Sequence, residues 1–432
     1  MNVRKIAYNV LEESEKKSKY ISLALDSAIS RGELSGEDRA LLSALVYGVT
    51  ERKITLDYFI SALSGRNIRS LDSEVLNLLR LGAYQIIYMD KIPDSAAVNE
   101  TVKLASRYAA RSKNFVNAIL RRICREKSSL PYPTDNTERL SIENSIPKEL
   151  CEHFMRDYPD DFEEIIRASN SKPKLTLTVN TLRSSRDSLA KIIGDGCEKT
   201  AFSEKGLKLT SSFAVSDFSP LSDGLCYVQD EASQIAVSAL APKSGDTVID
   251  VCSCPGGKAF FSAILMENVG KIYCFDLHES KLPLIKNQAE KLGIEIINAE
   301  RHDSRVAKED LIEKADKVIC DVPCSGLGVL AKKPEIRHKS FSDLSELDNI
   351  QKEILEASAK YVKVGGVLLY STCTLRKAEN EERVAQFLST HPNFELLPFS
   401  VGTLEAKEGL LTLLPSKHST DGFFISLLKR RS

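Results

Sequence analysis

The first 125 or so residues have the hydrophobic pattern of amphipathic helices. Apolar side chains recur at intervals of three and four residues, for example at Ile6 and Val10 and at Val46 and Val49. Residues with this spacing share one face of an α-helix, and that face can be buried against neighbouring helices. The stretch also contains few residues that break helices. We therefore predict an all-α N-terminal domain over residues 1–128.

The helical pattern stops at a segment that contains two prolines, Lys127-Ser-Ser-Leu-Pro-Tyr-Pro133, which is typical of a linker. A smaller mixed segment follows. In it, residues Leu175–Asn180 (LTLTVN) have the alternating, β-branched character of a strand. We predict a small α+β domain over residues 141–223.

From about Gly224 onwards, short β-rich runs alternate with segments long enough to form helices. The runs cover residues 247–251, 271–275, 317–320 and 366–370. This alternation is typical of a doubly wound, mostly parallel sheet, and we predict a Rossmann-like α/β domain over residues 224–432. In such domains ligands bind at the carboxyl ends of the strands, so candidate chemistry is sought directly after each run.

Composition limits the possible classes of protein. A chain of 432 residues, 42% hydrophobic and 28% charged, is expected to form two or three globular domains. We expect a cytoplasmic protein without a membrane span, because no apolar run of about 18 residues occurs and the first residues lack the apolar core of a signal peptide. Ten cysteines without a CxxC pair predict neither a disulfide scaffold nor a zinc site, and we expect no metal.

The formal charge of −1 argues against a uniformly basic nucleic-acid-binding protein, but it permits a local basic surface. Segment Thr101–Lys127 carries eight basic residues and one acidic residue. At a spacing of four, three of the basic residues are predicted to share one helix face, and others follow on the next helix or turn. The two groups are Lys103, Arg107 and Arg111, and then Arg121 and Arg122. A surface that contacts phosphates is one interpretation, and an ordinary solvated surface is the other.

The first β-rich run leads into a loop that contains two adjacent glycines, Gly256 and Gly257, which allow a tight turn and a close approach to a ligand. The loop is neither a Walker A motif, whose first glycine is missing, nor a complete GxGxxG fingerprint. The second strand is predicted to end at Asp276, directly after the run at 271–275 and nineteen residues after Gly257, where an acid commonly binds ribose hydroxyls. Asp303 falls at the end expected for a third strand. Together these residues favour a nucleoside cofactor.

Two further strand ends each carry a cysteine. Cys324 follows the run at 317–320, in Asp321-Val-Pro-Cys-Ser-Gly326, and Cys373 follows the run at 366–370, in Tyr370-Ser-Thr-Cys-Thr374. Either thiol alone would be interpreted as a buried packing residue. Two of them on the edge where ligands bind indicate a functional pair.

These motifs resemble those of the Sun-type family of RNA cytosine-C5 methyltransferases, and the helical N-terminal region resembles the antitermination factor NusB. The resemblance covers essentially the whole chain. It is carried by VQDEAS (228–233), VIDVCSCPGGK (248–258), DVPCSGLGVLAKKPEIR (321–337), YSTCTL (370–375) and DGFF (421–424). The combination implies a bacterial enzyme that methylates a 16S rRNA cytosine of the cytosine-967 type.

The resemblance also implies roles for individual residues. Cys373 would add to C6 of the cytosine and Cys324 would assist release. Asp321 would bind the pyrimidine, with Lys258 as an electrostatic partner. S-adenosylmethionine would lie over the glycine loop, with Asp276 on its ribose and Asp303 near its adenine, in a site formed by Cys252, Ser253, Cys254, Pro255, Gly256, Gly257, Lys258, Asp276, Asp303 and Asp321. RNA contacts would come from the five basic residues named above and from Asn180 and Arg183.

The chain departs from the family pattern at three places. Ser253-Cys254 replaces the usual Ala-Ala of the loop, Lys377-Ala378 replaces the first half of Pro-Glu-Glu-Asn, and His338 replaces a common tryptophan. These changes bear on how the substrate fits more than on the chemistry.

The expected partner is 16S rRNA or a small-subunit assembly intermediate, bound by a monomer. Three alternatives remain open. The same chemistry could act on tRNA or on another rRNA site. The chain could be a non-catalytic, NusB-like RNA-binding or antitermination factor, although both cysteines and the cofactor loop argue against it. A nicotinamide-dependent oxidoreductase is disfavoured because its fingerprint is incomplete.

Overall fold

The computed structural model describes residues 2–17, 21–31, 34–210, 218–339 and 344–432. The chain forms two compact units. The N-terminal unit comprises Met1–Asn170 together with Lys332–Lys339, and the C-terminal unit comprises Ser171–Ala331 together with Ser340–Ser432. Within the described ranges, no helix is both long and apolar enough to cross a membrane.

The N-terminal unit is helical, as the spacing of its apolar residues predicts. On α7, for example, Val116, Ile119, Leu120 and Ile123 form one buried face. Its helices in the described residues are α1 (Val3–Lys17), α2 (Ile21–Arg31), α3 (Gly36–Glu51), α4 (Lys53–Ser64), α5 (Ser73–Tyr88), α6 (Asp94–Tyr108), α7 (Lys113–Glu126), α8 (Asn136–Asn144), α9 (Lys148–Asp157) and α10 (Phe162–Ala168).

The last three helices pack with the N-terminal helices and not with the segment that follows them. The hydroxyl of Thr55 in α4 donates to the carbonyl of Ile142 in α8 over 2.5 Å, and the Ser145 hydroxyl accepts from the amide of Ile54 over 3.1 Å. The boundary between the compact units therefore lies at residues 170 and 171. This boundary differs from the domain limits at residues 128 and 141 that the sequence predicts. The contacts responsible join residues about ninety positions apart, and local sequence patterns do not reveal such contacts.

Segment Lys332–Lys339 joins the N-terminal unit from within the second half of the sequence. The side chain of Arg337, 1% exposed, donates to five acceptors there. They are the carbonyl oxygens of Glu51, Asn144, Ser145 and Ser169 and the side-chain oxygen of Asn170, all at 3.0–3.3 Å. Four of them lie at the ends of α3, α8 and α10, where carbonyl groups lack intrahelical partners and carry partial negative charge. One guanidinium group thus caps three helices.

The C-terminal unit begins with a small antiparallel sheet in the order β2-β3-β1-β4. The predicted strand at Leu175–Asn180 is present as β1. The elements of this part are β1 (Thr176–Val179), α11 (Arg186–Ile193), β2 (Cys197–Lys199), β3 (Gly206–Leu209), α12 (Ser219–Ser222) and β4 (Cys226–Val228). This arrangement confirms the small middle domain with mixed helices and strands.

The main sheet has the order β10-β14-β9-β8-β5-β6-β7, with β13 also paired to β14. Strands β5 to β9 run parallel, whereas β14 is antiparallel to β9, β10 and β13. The strands are β5 (Thr247–Asp250), β6 (Lys271–Asp276), β7 (Ile297–Arg301), β8 (Ala315–Asp321), β9 (Val362–Thr372), β10 (Phe394–Leu396), β13 (Leu410–Leu413) and β14 (Phe423–Arg430). The Rossmann-like prediction is confirmed, and the antiparallel edge is an addition to it.

The first helix of this part precedes β5, and the others lie on connections between strands of the main sheet. In addition, β11 (Phe399–Val401) pairs with β12 (Leu404–Ala406). The helices are α13 (Glu231–Leu240), α14 (Gly257–Leu265), α15 (Leu282–Leu292), α16 (Leu344–Tyr361), α17 (Glu381–Thr390) and α18 (Pro415–His418). Because β5 to β9 are parallel, their carboxyl ends lie along one edge of the sheet, and that edge carries the candidate site.

Candidate active site

The loop after β5 forms a close-fitting turn. Gly256 has φ +107°, and its amide donates to the carbonyl of Ser253 over 2.6 Å. A Cβ atom at Gly256 would lie 2.3 Å from the ring of Phe260, so only glycine fits there. Helix α14 begins at Gly257, so the first backbone N–H groups of this helix lack intrahelical acceptors. The loop thus forms a cradle suited to a polar, partly anionic ligand.

A fixed ion pair lies beside this loop. Lys258 Nζ is 2.7 Å from Asp321 Oδ2, and the Ser371 hydroxyl donates to Asp321 Oδ1 over 2.7 Å. Burial lowers the pKa of Lys258, but Asp321 and Asp250 outweigh burial and raise it above the ordinary value. Lys258 is therefore charged at neutral pH, and both oxygens of Asp321 are oriented. Ser371 was not singled out from the sequence, although it lies within the YSTCTL motif.

Asp250, at the end of β5, is a buried acid next to the same ion pair. It is 1% exposed, and neither carboxylate oxygen has a hydrogen-bond partner of ordinary geometry among the described residues. Burial raises the pKa of Asp250 to about 7, although the nearby Lys258 opposes this effect. A buried carboxyl group with so little support fits a site whose polar groups are completed by a ligand.

The two cysteines meet at the ends of β8 and β9. Cys324 Sγ and Cys373 Sγ are 3.2 Å apart, and both residues are partly exposed. The hydrogen bond with Cys373 and burial raise the pKa of the Cys324 thiol well above its ordinary value. Cys324 therefore keeps its proton next to its partner. Such a pair can provide one nucleophile and one separate proton carrier.

Two glycines bring the backbones around the thiols into contact. The amide of Gly328 donates to the carbonyl of Cys373 over 3.0 Å, and the amide of Gly422 donates to the carbonyl of Gly328 over 2.8 Å. A Cβ atom at Gly328 would lie 1.9 Å from the carbonyl oxygen of Gly422. This approach gives the DGFF motif a physical reason. The ring of Phe423 also lies 5.2 Å from Lys258 Nζ.

The two aspartates predicted to bind the ribose and the adenine lie at the ends of neighbouring strands. Asp276 ends β6, and its Oδ1 accepts from the amide of His278 over 2.8 Å. Asp303 follows β7, and its carboxylate pairs with the Arg305 guanidinium over 2.6 Å. An adenine amine bound at Asp303 would therefore share that carboxylate with Arg305. With the glycine cradle, these groups fit a nucleoside cofactor, and their roles remain predictions.

The basic residues of the N-terminal unit lie in consecutive segments. Lys103 and Arg107 are both in α6, but this helix ends at Tyr108. Arg111 follows in a separate 3₁₀ turn at Ala110–Ser112, so the prediction that it shares a helix face with the other two is wrong. The backbone leaves the helical conformation at Ala109, with φ −145° and ψ 53°. Helix α7 carries Arg121 and Arg122, as expected.

The two candidate RNA contacts of the middle segment differ in accessibility. Asn180 is fully buried, and its side chain donates to the carbonyls of Gly224 and Leu292 over 2.9 and 2.8 Å. Asn180 therefore has a structural role, which corrects its assignment as an RNA contact. Arg183 is exposed and donates to the carbonyl of Asp223 over 3.0 Å. Its contact with RNA stays a prediction. Among the described residues, no cluster of side chains could hold a metal ion.

Comparison with known proteins gives three family matches along the chain. Residues 237–429 match the family described as 16S rRNA methyltransferase RsmB/F. Residues 1–125 match the NusB family, and residues 146–216 match the ferredoxin-like domain of RsmF/B-like methyltransferases. The matches follow the same order as the helical region, the small sheet and the main sheet.

Whole-chain similarities agree with these matches. A probable ribosomal RNA small subunit methyltransferase B from Bacillus subtilis is 38% identical, with 100% of this chain and 99% of the relative aligned. One from Synechocystis is 33% identical, with 100% of both covered. Among solved structures, PH0851 has a TM-score of 0.83 at 29% identity, over 100% of this chain and 99% of that one. A methyltransferase homologue from Pyrococcus horikoshii has a TM-score of 0.59 at 27% identity, over 69% and 100%.

Proposed function

The chain belongs to the RsmB/F family of 16S rRNA methyltransferases, and on that premise we propose that it methylates C5 of a cytosine in 16S rRNA through a covalent cysteine adduct. The observation that carries this proposal is the pair of thiols, with sulfur atoms 3.2 Å apart, at the ends of two parallel strands. Base methylation at a ring carbon requires a nucleophile in addition to a methyl donor, and the pair supplies one.

The methyl donor we propose is S-adenosylmethionine, which when bound supplies an electrophilic methyl group. The loop from Cys252 to Lys258 would hold it, and the backbone amides at the start of α14 are suited to its carboxylate group. Asp276 would bind its ribose and Asp303 its adenine. The Ser253-Cys254 departure leaves the glycine turn intact, because the amide of Gly256 bonds to the backbone carbonyl of Ser253 and not to its side chain.

Cys373 is the proposed nucleophile. C5 of cytosine is a poor nucleophile, so direct attack on the methyl donor would be slow. A bond from the Cys373 thiolate to C6 would convert the C5–C6 double bond into electron density on C5, the ring carbon that would take the methyl group as the sulfur–methyl bond of the donor breaks. Loss of the C5 proton and cleavage of the sulfur–C6 bond restore the aromatic ring and release the thiolate.

Asp321 and Lys258 would position the base and stabilise its charge. The Asp321 carboxylate is held on one oxygen by Ser371 and on the other by Lys258. It would accept a hydrogen bond from the exocyclic amine of the cytosine, close to N3. The Lys258 ammonium, whose side chain is 12% exposed, would stabilise the negative charge that addition of sulfur places on the ring.

Cys324 is the proposed acceptor of the C5 proton. Its pKa is raised first by its hydrogen bond to Cys373 and then by burial. Once Cys373 is bonded to carbon, it no longer carries the charge that contributes to this increase. The Cys324 thiol then ionises more readily, at the stage at which the reaction needs a base.

The proposed substrate is 16S rRNA or a small-subunit assembly intermediate, bound by a monomer in the cytoplasm. The target cytosine must leave its stack to reach the thiols, which costs a few kcal/mol, less for an unpaired base. Phosphate contacts are proposed for the N-terminal basic residues Lys103, Arg107, Arg111, Arg121 and Arg122, and for Arg183. The same chemistry on tRNA or on another rRNA site is the alternative.

The test is methyl transfer from labelled S-adenosylmethionine to unmodified 16S rRNA. We expect 5-methylcytosine in the product with the wild type, none with Cys373→Ala, and a protein–RNA adduct that survives denaturation with Cys324→Ala. Cys320→Ala is the matched control, because this buried thiol lies on β8 outside the proposed machinery. Activity that survives Cys373→Ala would refute the nucleophile. Transfer to tRNA alone would refute the substrate.

A further inference from the structure

Two adjacent residues, Glu379 and Asn380, form hydrogen bonds around the two thiols. Both are 0% exposed, and they lie between β9 and α17. Each of them holds the residues next to one of the cysteines, either directly or through one further side chain. The pair is thus placed to set the separation of the sulfur atoms.

Glu379 holds the residues on both sides of Cys324. Its Oε2 accepts from the backbone amide of Ser325 over 2.9 Å and from the side-chain amide of Gln351 over 2.7 Å. Gln351 Nε2 also donates to the carbonyl of Pro323 over 3.0 Å. Glu379 thus fixes Ser325 directly, and through Gln351 it fixes Pro323.

Asn380 does the same for Cys373. Its Oδ1 accepts from the hydroxyl of Thr372 over 2.6 Å, and its Nδ2 donates to the carbonyl of Thr374 over 3.0 Å. A hydroxyl–hydroxyl bond of 2.7 Å between Ser325 and Thr374 joins the two loops directly. The backbones that carry the thiols are therefore tied to one dipeptide.

These bonds are strong for their kind because they are buried. Glu379, Asn380, Gln351, Thr372 and Thr374 are all 0% exposed. A hydrogen bond to a carboxylate is stronger than one between neutral groups, and a donor left unpaired in such a place is costly. The carboxylate is further supported by Arg376, with a guanidinium nitrogen 3.7 Å from Oε1.

We propose that Glu379 and Asn380 are positioning residues that fix the distance between the two thiols, and that Glu379 governs the step in which Cys324 takes part. The second half of this proposal rests on the proposed function. Misplacement of a reacting group by about 1 Å can slow a step by about 100-fold. Loss of the Glu379 contacts moves Cys324 and leaves Cys373 held by Asn380, so release of the adduct slows more than its formation.

The first test measures thiol proximity without RNA. Diamide, an azo oxidant, takes two electrons and two protons from two nearby thiols, so that a disulfide forms and the azo bond is reduced to a hydrazine. We expect a Cys324–Cys373 disulfide in the wild type, identified by peptide mass spectrometry. It should form at least about tenfold more slowly in Glu379→Leu, which lacks the acceptor. Glu379→Gln keeps an acceptor oxygen and should restore the rate to within about threefold.

The matched control is Glu381→Leu, because Glu381 bonds to Thr412 and not to either cysteine loop. If Glu379→Leu does not fold, as judged by far-UV circular dichroism, Gln351→Leu replaces it, since it removes the bond to Pro323. The proposal is overturned if disulfide formation in the folded variant is as fast as in the wild type, or if Glu381→Leu slows it equally.

The second test measures the two halves of a single turnover with rRNA. We expect Glu379→Leu to form the adduct at a rate within about threefold of the wild type and to release it at least about tenfold more slowly, so that adduct accumulates. An equal decrease in both rates indicates a general structural defect and contradicts the proposal. If the wild type forms no adduct but the disulfide result holds, the proposed function fails while the positioning of the thiols stands.

Discussion

Replacement of Arg337 by methionine tests whether one guanidinium group secures the N-terminal unit. The variant retains a long apolar stem but donates no hydrogen bond. It leaves the carbonyls at the ends of α3, α8 and α10, and the side chain of Asn170, without the five bonds that Arg337 provides. Because the residue is 1% exposed, water cannot replace these bonds without local opening.

The magnitude follows from two opposing effects. Removal of one partner from a buried charged network costs about 3–5 kcal/mol. Burial also makes the charged form of Arg337 costly, as shown by its pKa, which burial lowers to about 10 although Glu51 opposes the effect. The variant avoids that cost, so we expect the lower end, about 3 kcal/mol. At about 2 kcal/mol per molar urea, the unfolding midpoint falls by about 1.5 M.

The assay needs a signal from the N-terminal unit alone. The chain contains no tryptophan. Tyr132→Trp therefore introduces a single fluorescent reporter in this unit, at a position where the native ring packs edge-on against Phe59 with centroids 5.2 Å apart. Urea unfolding is followed by this fluorescence with arginine or methionine at position 337. Arg337→Lys should lie between them, because lysine keeps the charge but not the planar set of donors.

The matched control is Arg167→Met, in the same unit. The Arg167 side chain is 64% exposed and pairs with Glu163 one helical turn away. Such pairs contribute well under about 1 kcal/mol. If Arg337→Met lowers the midpoint no more than Arg167→Met does, the guanidinium group does not secure the three helix ends, and the reasoning is refuted.

Gly422→Ala places a Cβ atom 2.7 Å from Gly328 Cα, so it should destabilise the C-terminal unit by about 1–3 kcal/mol in urea unfolding, whereas Gly36→Ala, in open space, should not. Burial raises the pKa of Glu15, but Arg80 and Lys53 outweigh it and lower the pKa to about 2. Glu15 therefore stabilises the fold above about pH 4.5 and loses this effect as the pH falls towards 2. After discounting for the exposure of the side chain, Glu15→Gln should lower the free energy of unfolding by about 1–2 kcal/mol at pH 7 and by much less near pH 2. An equal decrease at both pH values would contradict this. For RNA binding, the variant in which glutamine replaces three arginines, Arg107, Arg111 and Arg121, should give a slope of the logarithm of the binding constant against the logarithm of the salt concentration that is shallower by about 2 than that of the wild type. An unchanged slope would show that these arginines do not contact phosphates.

The sequence was sufficient for the architecture where the pattern is local. Apolar spacings of three and four predict the N-terminal helices, because a helix buries one face. The β-rich runs predict β5, β6, β8 and β9, because strands buried on both sides are continuously apolar. The thiols, the aspartates and the glycine loop could be placed on one edge because parallel strands bring their carboxyl ends together.

Patterns were insufficient where an element ends or pairs for non-local reasons. The antiparallel strand β14 follows the close contact between Gly422 and Gly328 and pairs with β9. No local sequence pattern predicts this pairing. Helix α6 ends at Tyr108, so Arg111 leaves the face that its spacing suggested. The family resemblance makes Asn180 a candidate RNA contact, but its side chain bonds to carbonyls 44 and 112 positions away in sequence.

The sequence by itself thus determined which residue types are available for chemistry and which strand ends carry them. Only the tertiary structure decided how these residues are held. It placed the cysteine sulfur atoms 3.2 Å apart, oriented both oxygens of Asp321, and brought Glu379 and Asn380 next to the two cysteine loops. Hydrophobic periodicity encodes which face is buried, whereas hydrogen bonds between distant segments depend on distances that exist only once the chain has folded.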